Sequence, residues 1–131
     1  MTDANETILL VEDDAAVRMM LTNALQHEGY EVLPARNGED ALIAACVHSA
    51  PVHLVLTDVV MPKVNGRELF AQLHRWYPRM RVLFMSGYAR GALSADELEA
   101  GVTDFVAKPF RIEDMLARVR NMLDGRLAEL N

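Results

Sequence analysis

The chain has 131 residues, 51% of them hydrophobic, enough for one domain around a single core and too short for two of ordinary size. Thirteen Lys and Arg against nineteen Asp and Glu give a formal net charge of −6. That balance disfavours tight binding to nucleic acid, where affinity comes from clustered cations. The single cysteine, Cys46, excludes an internal disulfide and fits a reducing compartment. The polar, acid-bearing start does not read as a signal peptide, and no apolar run is long enough to span a bilayer, so the chain is expected in the cytoplasm with no membrane partner.

Short runs dense in Val, Ile and Leu alternate with longer runs whose apolar residues fall three and four apart, the pattern of five successive βα units. The first strand is predicted over 8–11 and the first helix over 15–28, with Val17, Leu21, Ala24 and Leu25 on one face and Gly29 closing it. Residues 30–35 read as the second strand, and Asn37 caps a helix that carries Leu42, Ala45 and Cys46 inward. The third strand is expected over 52–57. Asn65 and Glu68 resemble a capping box opening a helix with Leu69, Leu73 and Trp76 on one side, ended by Pro78. A fourth strand over 82–85 runs into Ser86 and Gly87, after which Ser94 and Glu97 cap a short helix that stops at Gly101. The fifth strand, 104–107, precedes a last helix from about 111 to 123 that stacks Ile112, Met115, Leu116, Val119 and Met122 inward. Strands that are apolar throughout are buried on both faces. The expected class is therefore α/β, a doubly wound parallel sheet with helices on both faces.

Ligands of an open parallel sheet bind outside the carboxyl ends of its strands. Four of the five predicted exits carry polar groups: Glu12, Asp13 and Asp14 after the first strand, Asp58 after the third, Ser86 and Gly87 after the fourth, Lys108 and Pro109 after the fifth. Taken singly, each has an ordinary reading. Acids are favoured at a helix start, Asp58 precedes a turn, Gly87 allows a bend, and Lys108 is a solvated charge. Taken together, these readings require four coincidences at one edge of one sheet. Lysine is also scarce, Lys63 and Lys108 being the only two against eleven arginines.

Two carboxylates about 4 Å apart repel by about 4 kcal/mol at an effective dielectric of 20, so such a cluster demands a cation. An all-oxygen site without His or Cys suits Mg²⁺ better than zinc. The compact ammonium of Lys108 acts as a point charge on a phosphoryl oxygen, a task for which a guanidinium fork has a different shape. Acids, a divalent ion, a lysine and a hydroxyl make a phosphoryl-transfer site. Asp58, alone on the third strand, is the candidate nucleophile for an acyl phosphate.

With these motifs in place, namely Leu10-Val11-Glu12-Asp13-Asp14, Thr57-Asp58-Val59-Val60-Met61-Pro62 with Gly66, Met85-Ser86-Gly87 and Phe105-Val106-Ala107-Lys108-Pro109-Phe110, the chain resembles the receiver domain of two-component response regulators. The resemblance runs from about 7 to 123. It implies one receiver domain over 1–131, with a core at about 7–123 and flexible ends at 1–6 and 125–131. It also implies a five-stranded sheet of flavodoxin-like order 2-1-3-4-5 with five helices. Asp58 would be the phosphoacceptor, and Glu12, Asp13, Asp58 and the backbone carbonyl of Val60 would hold Mg²⁺, or Mn²⁺ in its place, with Asp14 a third acid near the site. Ser86 would be the switch hydroxyl, Lys108 the ion-pair partner of the phosphoryl group, and Phe105 the aromatic that changes rotamer. The bond before Pro109 is usually cis in this family. The donor would be a sensor histidine kinase or a histidine phosphotransfer protein, and the first helix would supply part of its docking surface. The output partner is not legible, and the state is a monomer or a dimer formed on phosphorylation.

Lys63, Asn65 and Gly87 depart from the commonest residues of the family, and none of them removes a reacting group. Val60 and Tyr88 flank the path of the hydrolytic water in relatives, so an apolar Val60 and a bulky Tyr88 imply a longer-lived phosphoryl group. The histidines make no ligand pattern, the methionines and Trp76 read as packing, and Arg118 and Arg120 read as a solvated face. A competing reading is an Mg²⁺-dependent phosphatase working through an aspartyl-phosphate, but the general acid expected two residues after Asp58 is Val60. A nucleotide- or flavin-binding domain would need a phosphate loop where Glu12, Asp13 and Asp14 would repel it.

Overall fold

The computed structural model describes residues 6–48, 51–58, 66–86 and 103–125, with the side chains of Gly66, Arg67, Ser86 and Thr103 left aside. Five strands, β1 (Thr7–Val11), β2 (Glu31–Ala35), β3 (Leu54–Asp58), β4 (Arg81–Ser86) and β5 (Thr103–Ala107), lie in the order β2-β1-β3-β4-β5. All neighbouring pairs are parallel. Four helices are described: α1 (Ala15–His27), α2 (Gly38–Val47), α3 (Gly66–Trp76) and α4 (Ile112–Leu123). The helix expected after Ser94 lies outside the described residues.

Alternation along each strand divides its side chains between two cores. Ile8, Leu10, Leu54, Leu56, Leu83, Met85 and Val106 pack with Leu21 and Leu25 of α1 and with Met115, Val119 and Met122 of α4. Leu9, Val11, Val55, Val82, Phe84 and Phe105 pack on the other face, with Ala41 and Ala45 of α2 and Leu69 and Leu73 of α3. β1 and β3 are buried at every position, as strands covered on both faces must be. β2 is, with β5, one of the two edge strands and alone among the five carries an internal proline, Pro34, where a missing N–H does least harm.

Two packing expectations are corrected. Cys46 is exposed, because the buried stripe of α2 is Ala41 and Ala45, four residues apart, and the next position turns about 100° away. Trp76 is 50% exposed. The Leu69–Leu73 stripe of α3 continues at Tyr77, which packs on the core and donates its hydroxyl to the carbonyl of Ala45 at 3.1 Å.

Arg118 and Arg120 are not a free solvated face either. Arg118 reaches the buried carboxylate of Asp104 at 2.9 Å. Arg120 donates to Tyr30 Oη at 3.0 Å, to Glu6 at 3.0 Å and to Asp124 at 2.8 Å, with its guanidinium 5.7 Å from the centre of the Tyr30 ring. The hydrogen bond to Glu6 leads the causes that hold the Arg120 guanidinium above its ordinary range. Burial pushes the Tyr30 phenol up, and Arg120 partly opposes it. Arg120→Met, which keeps the stem and removes the charge, is expected to cost about 1–2 kcal/mol in urea unfolding, reduced from a buried value because the site is partly open to solvent. A loss under about 0.3 kcal/mol would mean that the contacts do not stabilise the fold.

Candidate functional site

Register brings the acids together. Val11 of β1 pairs with Thr57 of β3, so one residue further Glu12 comes level with Asp58, on strands about 4.8 Å apart. Both continue the face that carries Leu10 and Leu56. Asp58 is level with Met85, and Met85 with Val106. Lys108, two residues beyond Val106, thus leaves β5 on the same face, and its long stem spans the sheet edge. Its ammonium lies 3.0 Å from Glu12 Oε1 and 3.0 Å from Asp58 Oδ1.

Glu12 is 1% exposed and held at several points. Its Oε1 accepts from Lys108, its Oε2 accepts from the Asp14 N–H at 3.1 Å, its N–H donates to the Ala35 carbonyl at 3.0 Å, and its own carbonyl accepts from Arg18 at 2.7 Å. Arg18 was missed in the sequence. Helical side chains lean back toward the N-terminus, which is how Arg18 reaches a residue ahead of its own helix. Asp58 is 8% exposed, and the Thr57 hydroxyl donates to its carbonyl at 3.1 Å. Asp13 is exposed beside them.

Burial is the main reason that the Asp58 carboxyl is pushed up to about 6, the charges of Glu12 and Asp13 adding to it and Lys108 opposing it. Burial also pulls on Lys108, but its hydrogen bonds to Asp58 and Glu12 outweigh that, and the ammonium lies above its ordinary range. The two directions are compatible because one cation is shared between two acids, Glu12 and Asp58, with Asp13 beside them. Glu12, Asp13 and Asp58 each bring a carboxylate oxygen within 4.8 Å of the others. Against the single ammonium of Lys108 they leave two formal negative charges, and the donors are all hard oxygens. This set fits one hard divalent cation.

Asp14 has a different task. It is the N-cap of α1, and its Oδ1 accepts from the Val17 N–H at 3.0 Å. Asp14→Ala is expected to cost about 1 kcal/mol in urea unfolding, and to change divalent-ion affinity less than about threefold by calorimetry, the effect of one exposed charge in water. A tenfold loss of ion affinity would instead make Asp14 part of the ion site.

Phe105 is buried in the core beside Phe84, its register partner. The Lys108–Pro109 peptide bond is cis. Ser86 ends β4 opposite Ala107, next to Lys108 in the chain, and Gly66 opens α3. Val60 and Tyr88, together with Met61, Pro62, Lys63, Asn65 and Gly87, lie outside the described residues.

Comparison with known proteins agrees with this geometry. The family model described as "response regulator receiver domain" matches residues 8–120. The chain is 37% identical over 118 residues to the sensor kinase CckA of Brucella abortus, covering 90% of this chain and 12% of that one. It is 34% identical over 116 residues to the response regulator receiver protein CpdR of the same organism, covering 88% of this chain and 95% of that one. Among solved structures, the receiver domain of the hybrid histidine kinase CckA superposes with a TM-score of 0.74 at 35% identity, over 89% of this chain and 98% of that one. The chemotaxis protein CheY4 of Vibrio cholerae superposes at 0.76 with 27% identity, over 91% and 99%.

Proposed function

This chain belongs to the response regulator receiver domain family, and on that premise we propose that it is a phosphoacceptor switch in which Asp58 takes a phosphoryl group from a phosphohistidine donor. The observation that carries the reading is the Asp58 carboxylate, 3.0 Å from the Lys108 ammonium and clustered with Glu12 and Asp13. The donor is a sensor histidine kinase or a histidine phosphotransfer protein, and the receiver is read as one unit around the core at 7–123.

In the transfer, an Asp58 oxygen forms the O–P bond as the P–N bond to the donor imidazole breaks. The imidazole leaves with the electron pair and takes a proton from solvent. Lys108 anchors Asp58 Oδ1 and presents its ammonium to the phosphoryl oxygens. Glu12, Asp13, Asp58 and the Val60 carbonyl would hold Mg²⁺, or Mn²⁺ in its place, which would supply the charge neutralisation that an anionic donor needs at an acidic site. Arg18 and the Asp14 N–H keep Glu12 in place.

The Ser86 hydroxyl then bonds the phosphoryl group and Phe105 changes rotamer. The surface built from the segment 94–101, β5 and α4 shifts toward an output conformation. The product is a surface for an output partner, as monomer or as a dimer formed on phosphorylation, so the chain is read as a regulatory domain and not an enzyme. The phosphatase alternative finds no support in the family or the relatives above.

Intact mass after incubation with Mg²⁺ and a small acyl phosphate tests the reading. One phosphoryl group is expected on the wild type in the presence of the ion, and none when the ion is chelated. An adduct on another residue, or one independent of the ion, would sink it. The decay of the adduct tests the water-hindering role of Val60 and Tyr88: in Tyr88→Ala it should quicken, and an unchanged lifetime argues against that role.

A further inference from the structure

At the opposite edge of the sheet, where the strands begin, lies an open groove of about 810 Å³. Its apolar wall includes Trp76, Pro78 and Leu123, and its rim carries His53, Arg79 and Arg81. Trp76 is the one tryptophan of the chain and is 50% exposed. On neighbouring α2, Ile43 and Val47 are 61% and 78% exposed. The bond from Tyr77 to the Ala45 carbonyl ties the end of α3 to the end of α2, while the groove itself is lined by Trp76 and not by Ile43 or Val47. A large, half-exposed aromatic side chain lining a groove marks an interaction surface.

The polar rim selects the partner's charge. Glu6 is the one acid among the described lining residues, and its carboxylate is already 3.0 Å from Arg120. Neither Arg79 nor Arg81 has an acidic partner among the described residues. The Arg81 guanidinium lies over Gly125, whose added Cβ would be 3.7 Å from it. His53 accepts from the Thr7 N–H at Nδ1, at 2.9 Å, so its neutral ring carries the proton on Nε2 as a donor. In a chain of net charge −6, this end is a local concentration of cations and donors. Two arginines and a histidine are too few for a phosphate backbone, which is held by a longer run of cations.

The geometry points to a second docking site, in which an acidic segment of a partner protein places an apolar side chain against Trp76 and its carboxylates on Arg79, Arg81 and His53. The groove and Asp58 stand at opposite ends of five-residue strands, roughly 15 Å apart. Docking here is therefore independent of the phosphoacceptor reading and tethers the partner in either phosphorylation state.

Calorimetric titration of the full chain with a short capped peptide, glutamate and leucine alternating around one phenylalanine, tests the site, with Trp76 emission as a second readout. The expected result is saturable binding with a blue shift. Arg79→Glu or Arg81→Glu should weaken it about tenfold, added salt should weaken it, and Asp58→Asn should leave it unchanged. Arg79 is exposed, and a thermal melt verifies that its variant folds. No saturable heat, equal binding of the peptide with lysine in place of glutamate, or wild-type affinity retained in both charge-reversed variants would overturn the proposal. So would an emission shift that follows protein concentration alone, which means that a second copy fills the groove. Peptide binding that appears only after removal of residues 126–131 would likewise overturn it, since the chain's own end is then the occupant.

Discussion

Asp58→Asn is expected to abolish phosphoryl acceptance and, at neutral pH without divalent ions, to make the protein more stable than the wild type. The second effect follows from the carboxyl's displacement from 3.8 to about 6, caused first by burial and then by Glu12 and Asp13 against the opposing Lys108. The folded state binds the proton more tightly than the unfolded chain does. Asp58's contribution to stability is thus fully present below pH 3.8 and is lost as pH rises through about 6. Above that the ionised group is a liability of at most about 3 kcal/mol, and partial exchange of charge with Lys108 lowers the recoverable part to about 1–2 kcal/mol. Asparagine keeps an oxygen for Lys108 and removes the charge. Thermal unfolding with a chelator should place the variant about 3–8 °C above the wild type at pH 7.5, with the two curves converging near pH 4. Mg²⁺ should raise the wild-type midpoint more than the variant's. Coincident midpoints at pH 7.5 would show that the acids do not strain the fold.

Lys108→Ala should have the largest effect in the opposite direction. It leaves Glu12, 1% exposed, and Asp58, 8% exposed, without the one cation among the described residues that both contact. Removing one partner of a buried ion pair costs about 3–5 kcal/mol. Solvent at Asp13 and protonation of Asp58 relieve some of this, so about 2–4 kcal/mol is expected in urea unfolding with a chelator. Millimolar Mg²⁺ should recover much of it by replacing the lost charge. Adding Asp58→Asn to the variant should recover stability as well, since the two changes share one network. Lys108→Arg should rescue only in part, because a planar fork does not occupy the place of a compact ammonium. A cost below 1 kcal/mol without divalent ions, or one that Mg²⁺ leaves untouched, would separate Lys108 from the acid cluster.

Much of this site is a consequence of strand ends. Glu12, Asp58 and Lys108 are 46 and 50 residues apart in sequence, yet each stands at the carboxyl end of an apolar strand, Asp58 as its last residue and the other two just after it. A parallel sheet sends all its strand exits to one edge. The rank of βα units therefore already implied that these groups meet. Asp14 was equally visible in sequence as an acid near that edge, and equally as a helix cap; the hydrogen bond to Val17 shows the second role.

The local periods of this sequence determined the strands, the helices and which of their faces turn inward, because a strand apolar at every position and a helix apolar every three or four residues each have one way to leave water. Tertiary structure decided what period alone leaves open. Trp76 faces out because Tyr77 completes the stripe of α3, and Cys46 faces out because two small alanines let α2 lie close to the sheet. Arg120 joins Glu6 and Tyr30 from 114 and 90 residues away, a pairing with no local trace. The same holds for the shared grip of Lys108 on Glu12 and Asp58 at 3.0 Å. Apolar burial depends on a segment's own composition, whereas a charge finds its partner only once packing has fixed which strand ends stand side by side.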